Sequence, residues 1–131
     1  MKEHITKLRV RYAETDQMGI VYYANYFIWF EVARVEFLRR AGIAYKQLEH
    51  DGMYLIVTKA ACHYRAPALY DDTIIVKTTV ADYKNTSFNF VYKVQNSSGK
   101  ILAEGETAHV FVNKRRKPVK IPDNIKNIIF S

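Results

Sequence analysis

Residues 5–12 alternate, with Thr6, Leu8, Val10 and Tyr12 on one face and Lys7, Arg9 and Arg11 on the other, which predicts a β-strand. The alternation stops at Glu14-Thr15-Asp16-Gln17-Met18-Gly19, whose small and polar residues predict a loop. From about residue 25 to residue 41 the period becomes helical. Tyr26, Phe27, Phe30, Ala33, Phe37, Leu38 and Ala41 form one apolar stripe at i, i+3, i+4 and i+7 spacing, and Glu31, Arg34, Glu36, Arg39 and Arg40 supply most of the remaining positions. Asn25 is the expected N-cap and Gly42 the expected stop, with Arg39 and Arg40 at the negative end of the helix dipole. A shorter helix is predicted from Tyr45 to His50, closed by Gly52.

The remainder reads as β. Residues 54–66 place Ile56, Thr58, Ala60, Cys62 and Tyr64 on one face, with Cys62 expected to be buried and Pro67 ending the run. Residues 73–82 alternate through Ile74, Val76, Thr78 and Val80, and residues 87–96 through Phe88, Phe90, Tyr92 and Val94. Asn96-Ser97-Ser98-Gly99 is a turn signal that joins the latter run to residues 101–112, which end in Ala108, Val110 and Val112. Pro118 and Pro122 break the tail, leaving room for a helical turn at 123–129. One strand, one long helix and four consecutive strands predict a single two-layer α+β domain over residues 1–131 with an antiparallel sheet. Such a sheet leaves an edge and part of one face open, so a homo-oligomer is expected.

Composition narrows the function classes. The 131 residues carry a net charge of +7, which favours anionic partners. The only dense basic run is Lys114-Arg115-Arg116-Lys117, too little to indicate nucleic-acid binding, for which a basic stripe with stacking aromatics is required. Ten Tyr, seven Phe and one Trp suit pocket walls and interfaces. The single cysteine, Cys62, excludes an intramolecular disulfide and a thiolate metal cluster. Met1-Lys2-Glu3-His4 leads into the first strand without an apolar signal core, and no stretch reaches the roughly 18 apolar residues of a membrane span. A cytoplasmic protein is the resulting expectation. The four histidines, His4, His50, His63 and His109, are too scattered for a metal site, and no serine lies in a nucleophile-elbow pattern.

Taken alone, Asp16 reads as an ordinary loop aspartate. Its context changes that reading. The run Tyr12-Ala-Glu-Thr-Asp16-Gln-Met-Gly19-Ile-Val-Tyr-Tyr23-Ala-Asn25 and its continuation through Phe30 and Ala33-Arg34 resemble the opening motif of the 4-hydroxybenzoyl-CoA thioesterase-like, or YbgC-like, acyl-CoA thioesterases. The resemblance continues through Tyr64-Arg-Ala-Pro67, Asp72, Ser87-Phe88, Gly105 and Lys117-Pro118.

These relatives have the hotdog fold, so the resemblance implies a curved antiparallel sheet of about five strands wrapped around one long helix. It implies dimers or tetramers with active sites at subunit interfaces, and thioester hydrolysis without a metal or cofactor. Asp16 would then be the nucleophile or the general base, with the backbone N–H of Tyr23 polarising the thioester carbonyl. Tyr22, Asn25, Arg65, Lys84, Thr86 and Ser87 are the expected substrate contacts, with Lys114 and Arg115 as further candidates. Glu14 is expected to be structural, and Glu31 an ion-pair partner. An acyl carrier protein is an alternative acyl donor, and a non-catalytic acyl-CoA-binding module an alternative function. A hotdog dehydratase is disfavoured, because it needs a histidine near the helix start and none occurs between His4 and His50.

Overall fold

A computed structural model describes residues 3–130. Met1 and Lys2, part of the N-terminal run weighed above as a possible leader, lie outside the described residues. The elements are β1 (His4–Arg9), a 3-10 turn (Tyr12–Glu14), α1 (Asn25–Arg40), α2 (Tyr45–His50), β2 (Tyr54–Tyr64), β3 (Thr73–Ala81), β4 (Ser87–Asn96), β5 (Ile101–Val112) and α3 (Asp123–Ile129). The five strands form one sheet in the order β1-β3-β4-β5-β2, antiparallel throughout. α1 packs against β1 and β3 and also against β2, at the opposite edge. With strands spaced about 4.8 Å apart, a flat sheet could not bring both edges to one helix, so the sheet curls around it.

The interior is aromatic. Phe88, Phe90, Tyr92 and Val94 of β4 are fully buried, facing Phe30, Ala33, Phe37 and Leu38 of α1. The Phe30 ring lies flat on Tyr92, with centroids 4.2 Å apart and planes 7° apart. Gly105 of β5, the cross-strand partner of Tyr92, leaves room for the Phe30 ring. A Cβ there would stand 2.5 Å from two carbons of the Phe30 ring and 2.9 Å from the Ala61 carbonyl oxygen. A side chain on β5 at this point would therefore displace the helix or the neighbouring strand.

Several local expectations change. The first strand ends at Arg9 rather than at residue 12, and Tyr12 leaves the buried face to become largely exposed. The reason is Glu14, whose buried carboxylate accepts the Arg11 N–H at 2.8 Å and pulls the chain into the 3-10 turn. Asn25 does not cap α1. It is the first helical residue, and its Nδ2 donates to the Glu14 carbonyl at 2.8 Å. Trp29 joins the buried stripe because its indole N–H reaches the Glu14 carboxylate at 2.9 Å.

β2 ends at Tyr64, and a bulge at Thr58 interrupts the alternation of Ile56 with Ala60. Cys62 is half-buried, not buried. In β5 the core face carries Thr107, His109 and Phe111, not Ala108 and Val110. Thr107 and His109 are tolerated there because Tyr92 Oη and His109 Nε2 each lie 2.7 Å from Thr107 Oγ1.

Candidate active site

The Glu14–Tyr26 segment is held at several points. Glu14 accepts four of these hydrogen bonds, since its carbonyl, besides the Asn25 side chain, also accepts the Tyr22 N–H at 2.9 Å. Short bridges pair Thr15 with Val21 and Ile20 with Leu69, and Val21 N–H donates to the Ala68 carbonyl at 2.9 Å. Asp16 sits at the closed end of this excursion. Its N–H donates to Ile20 O at 2.9 Å, its carbonyl accepts from Gly19 N at 3.0 Å, and its Oδ1 accepts from Met18 N at 2.8 Å. Gly19 has φ +77°, a conformation costly for residues with a Cβ, so the turn needs glycine here. Oδ1 is occupied by its own turn, and Oδ2 has no protein donor among the described residues. The exposed carboxylate thus has a fixed orientation and one oxygen open for chemistry.

α1 begins immediately beyond. Its first turn is tight: Asn25 N donates to Tyr22 O at 3.0 Å, Tyr26 N to Tyr23 O at 3.3 Å and Phe27 N to Ala24 O at 3.2 Å. The N–H groups of Tyr23 and Ala24 have no acceptor among the described residues, as the geometry of a helix start requires. They are available donors at the positive end of the helix.

Asp16, Tyr23, Ile20, Val21, Tyr26, Tyr64, Ala66 and Pro67 line one cleft of about 420 Å³. Its wall is largely aromatic. Tyr64 stands edge-on to Tyr23 and Tyr26, at 6.2 and 5.0 Å between centroids, and donates its hydroxyl to the Tyr23 carbonyl at 2.9 Å. Tyr26 is buried, which raises its phenol above the ordinary value, although a hydrogen bond with the Ala68 backbone acts the other way. Partial burial, then the neighbouring Cys62 thiol, raises the Tyr64 phenol as well. The Cys62 thiol is itself raised by burial, which disfavours a thiolate nucleophile.

The expected contacts divide into two groups. Tyr22 packs against Tyr23 beside the cleft, with ring centroids 4.8 Å apart and planes tilted by 48°, its phenol raised chiefly by a hydrogen bond to Tyr23, and Asn25 anchors the helix start. Arg65 adjoins the cleft but is engaged with Glu104 at 2.8 Å. Lys84 and Ser87 line a different cleft, with Thr58, Asp82, Tyr83 and Asn89, and Thr86 lies alongside with its carbonyl accepting Phe111 N–H at 2.9 Å. Lys114 and Arg115 occupy a turn organised by Asn113, beyond the end of β5.

The two groups lie at opposite ends of the sheet. Tyr64 pairs with Ala103, whereas Ser87 pairs with Val110 and Tyr54 with Val112. Along β5 the positions of Ala103 and Val110 are roughly 23 Å apart, at about 3.3 Å per residue. Glu31 forms no ion pair among the described residues and lines a separate cavity with Arg34 and Tyr45. No group of three or more potential metal ligands occurs among the described residues. No helix among them is long and apolar enough to cross a membrane. Two features of the cleft escaped sequence reasoning, Tyr26 as a wall and the Tyr64 hydroxyl contact, since both depend on β2 and α1 meeting.

The sequence profile of the thioesterase-like superfamily matches residues 10–129, which includes every residue of this cleft. The chain belongs to the thioesterase-like superfamily. Among the superfamily's proteins, YneP of Bacillus subtilis (strain 168) is 36% identical over 120 residues, covering 89% of this chain and 87% of its own. The acyl-CoA thioester hydrolase YbgC of Shigella flexneri is 33% identical over 119 residues, covering 90% and 89% respectively. The structure of the DHNA-CoA thioesterase from Staphylococcus aureus superposes with a TM-score of 0.88 at 33% identity, covering 92% of this chain and 81% of that one. The helix-wrapped sheet of this superfamily member is accordingly a hotdog fold.

Proposed function

We propose that this protein hydrolyses acyl-CoA thioesters to a free carboxylic acid and coenzyme A. The observation that carries the reading is the shared cleft, in which an oriented carboxylate, Asp16, faces the start of α1 and the unpartnered N–H of Tyr23. The Tyr23 N–H, aided by the helix dipole, polarises the thioester carbonyl and stabilises the oxyanion that develops. Asp16 then acts in one of two ways. As nucleophile, its Oδ2 adds to the carbonyl carbon, the C–S bond breaks to release the thiolate, and water hydrolyses the resulting mixed anhydride. As general base, it takes a proton from water while the hydroxyl adds, and returns that proton to the departing thiolate. After a single turnover in oxygen-18 water, label found in the Asp16 peptide by mass analysis identifies the anhydride route, with water attacking the aspartyl carbonyl, because general-base catalysis leaves none in the carboxylate.

The division of contacts between the two sheet ends supports a composite site. β2 is a sheet edge, with Ile56 and Val57 exposed. Antiparallel pairing of two β2 strands sets the Tyr64 end of one copy against the Tyr54 end of the other. In that arrangement Asp16, Tyr22, Tyr23, Asn25 and Arg65 come from one subunit. Lys84, Thr86 and Ser87 come from its partner and meet the phosphates of the coenzyme. A homodimer is the minimal unit, and a homotetramer is a dimer of such dimers. Aromatic walls suit an apolar or aromatic acyl group. The +7 charge also suits an acidic carrier protein as an alternative donor.

The test is release of free thiol from short, medium, long and aromatic acyl-CoAs, beside Asp16→Ala. Turnover in the variant is expected to fall by about two orders of magnitude or more, as for loss of a principal catalytic group. Unchanged turnover would sink the mechanism. Tight acyl-CoA binding without hydrolysis of any thioester would replace it with the non-catalytic binding module.

A further inference from the structure

Tyr64 closes β2, and the chain turns sharply after it. Arg65 N–H and Ala66 N–H both donate to the Leu102 carbonyl, at 2.8 and 3.1 Å, so the corner is clamped to β5. The Tyr64 side chain therefore projects from a fixed base. Its hydroxyl crosses to α1 and donates to the Tyr23 carbonyl at 2.9 Å, and its ring is wedged edge-on between Tyr23 and Tyr26.

The acceptor is informative. Tyr23 O already receives the Tyr26 N–H of the first helical turn, at a long 3.3 Å. The Tyr64 hydroxyl is the shorter contact and fixes the direction of that carbonyl. The same peptide group carries the Ala24 N–H, which, like the Tyr23 N–H, has no acceptor among the described residues. Holding the carbonyl fixes where the Ala24 N–H points and restrains the Tyr23 N–H one peptide earlier. A peptide whose carbonyl accepts hydrogen bonds also becomes a better donor at its nitrogen.

We infer that Tyr64 is a positioning residue for the reaction, aiming and strengthening the paired amide donors at the start of α1 through its hydrogen bond to the Tyr23 carbonyl. The inference rests on the proposed thioester hydrolysis and adds a second amide, Ala24 N–H, to the oxyanion site. A rigid donor pair matters because such donors act only when aimed at the oxygen in its transition-state position. Raising of the Tyr64 phenol keeps it a donor over the working pH range.

The experiment uses the full-length protein and two probes, benzoyl-CoA and hexanoyl-CoA, each isotope-labelled at the thioester carbonyl. In Tyr64→Phe, kcat is expected to fall about tenfold, a fraction of the loss from deleting an oxyanion donor. KM should stay within about twofold, since the ring wall is retained. In the Asp16→Asn background, where the thioester survives, difference Raman spectra should show the bound carbonyl stretch moved down from its solution value. Adding Tyr64→Phe should return it toward solution.

A kcat within twofold of wild type, or a rise in KM alone, assigns Tyr64 to the wall and overturns the inference. An inert wild type instead overturns the underlying function, and an Asp16→Asn variant that still turns over overturns the role of Asp16. Should Tyr64→Phe lose its native fold, 3-fluorotyrosine at position 64 gives the same reading. As a stronger phenol donor it should increase the carbonyl shift, and an unchanged shift overturns the inference.

Discussion

Adding one methyl group at residue 105 tests whether the Phe30–Tyr92 stack locates the helix. In Gly105→Ala the new Cβ would lie 2.5 Å from two Phe30 ring carbons, about 1 Å inside a normal carbon–carbon contact. Neither neighbour yields easily. Phe30 is stacked on Tyr92 and met edge-on by Phe27 at 5.8 Å, while Tyr92 is tethered to Thr107. The third neighbour, the Ala61 carbonyl oxygen at 2.9 Å, is backbone in the β2–β5 ladder. Overpacking of this kind costs about 1–3 kcal/mol, and the rigid surroundings favour the upper end. Replacing glycine returns about 0.5–1 kcal/mol by restricting the unfolded chain. The net expectation is a loss of about 2 kcal/mol, or roughly 6–10 °C in Tm for a domain of this size.

Urea titration followed by fluorescence measures it. The companion variant Phe30→Leu should cost stability on its own but lose less in the alanine background. A double-mutant cycle should therefore show a favourable coupling of about 1 kcal/mol. Gly105→Ala at wild-type stability, or strictly additive variants, would refute the packing argument.

Two further outcomes follow from buried polar groups. Glu14→Gln keeps the shape of a side chain that accepts from Arg11 N–H and from the Trp29 indole, but forces an amide N–H against one of these donors. Stability should fall by about 1–3 kcal/mol in chemical denaturation, and thioesterase turnover should fall with it because the helix start loses its anchor. His109 is held neutral with its pKa depressed to about 3, first by burial and then by Arg34. The unfolded chain takes up this proton near pH 6.5 and the folded chain does not, so the contribution is complete above pH 6.5 and is lost as pH falls toward 3, at up to about 1.4 kcal/mol per pH unit. His4 is lowered by burial and by Arg40 and acts in the same direction. Denaturation curves at successive pH values should show the slope, and His109→Gln should flatten it.

Local pattern was enough to read most elements. The bounds of β3 differ by one residue and those of β4 and β5 agree, and in β3 and β4 the alternation is clean, with Ile74, Val76 and Val80, or Phe88, Phe90 and Tyr92, facing the core. α1 was legible because its stripe recurs over four turns and Gly42, at φ +86°, ends it. Asp16 stood out as a candidate only through the motif around it, since a lone aspartate before a helix has no chemical signature.

Tertiary structure decided what depends on residues distant in sequence. Glu14 became the anchor of the site because Trp29, fifteen residues later, brings its indole to the same carboxylate. Thr107 and His109 entered the core because Tyr92 and Thr107 satisfy one another across neighbouring strands, which no hydropathy pattern anticipates. Tyr64 met the Tyr23 carbonyl because the curled sheet carries an edge strand to the start of the helix. Periodicity encodes which face of an element is apolar, a property of neighbours along the chain. The partner of a buried polar atom is set by how elements pack, so the sequence announced the strands, the helix and the aspartate, and the fold alone assembled the cleft around them.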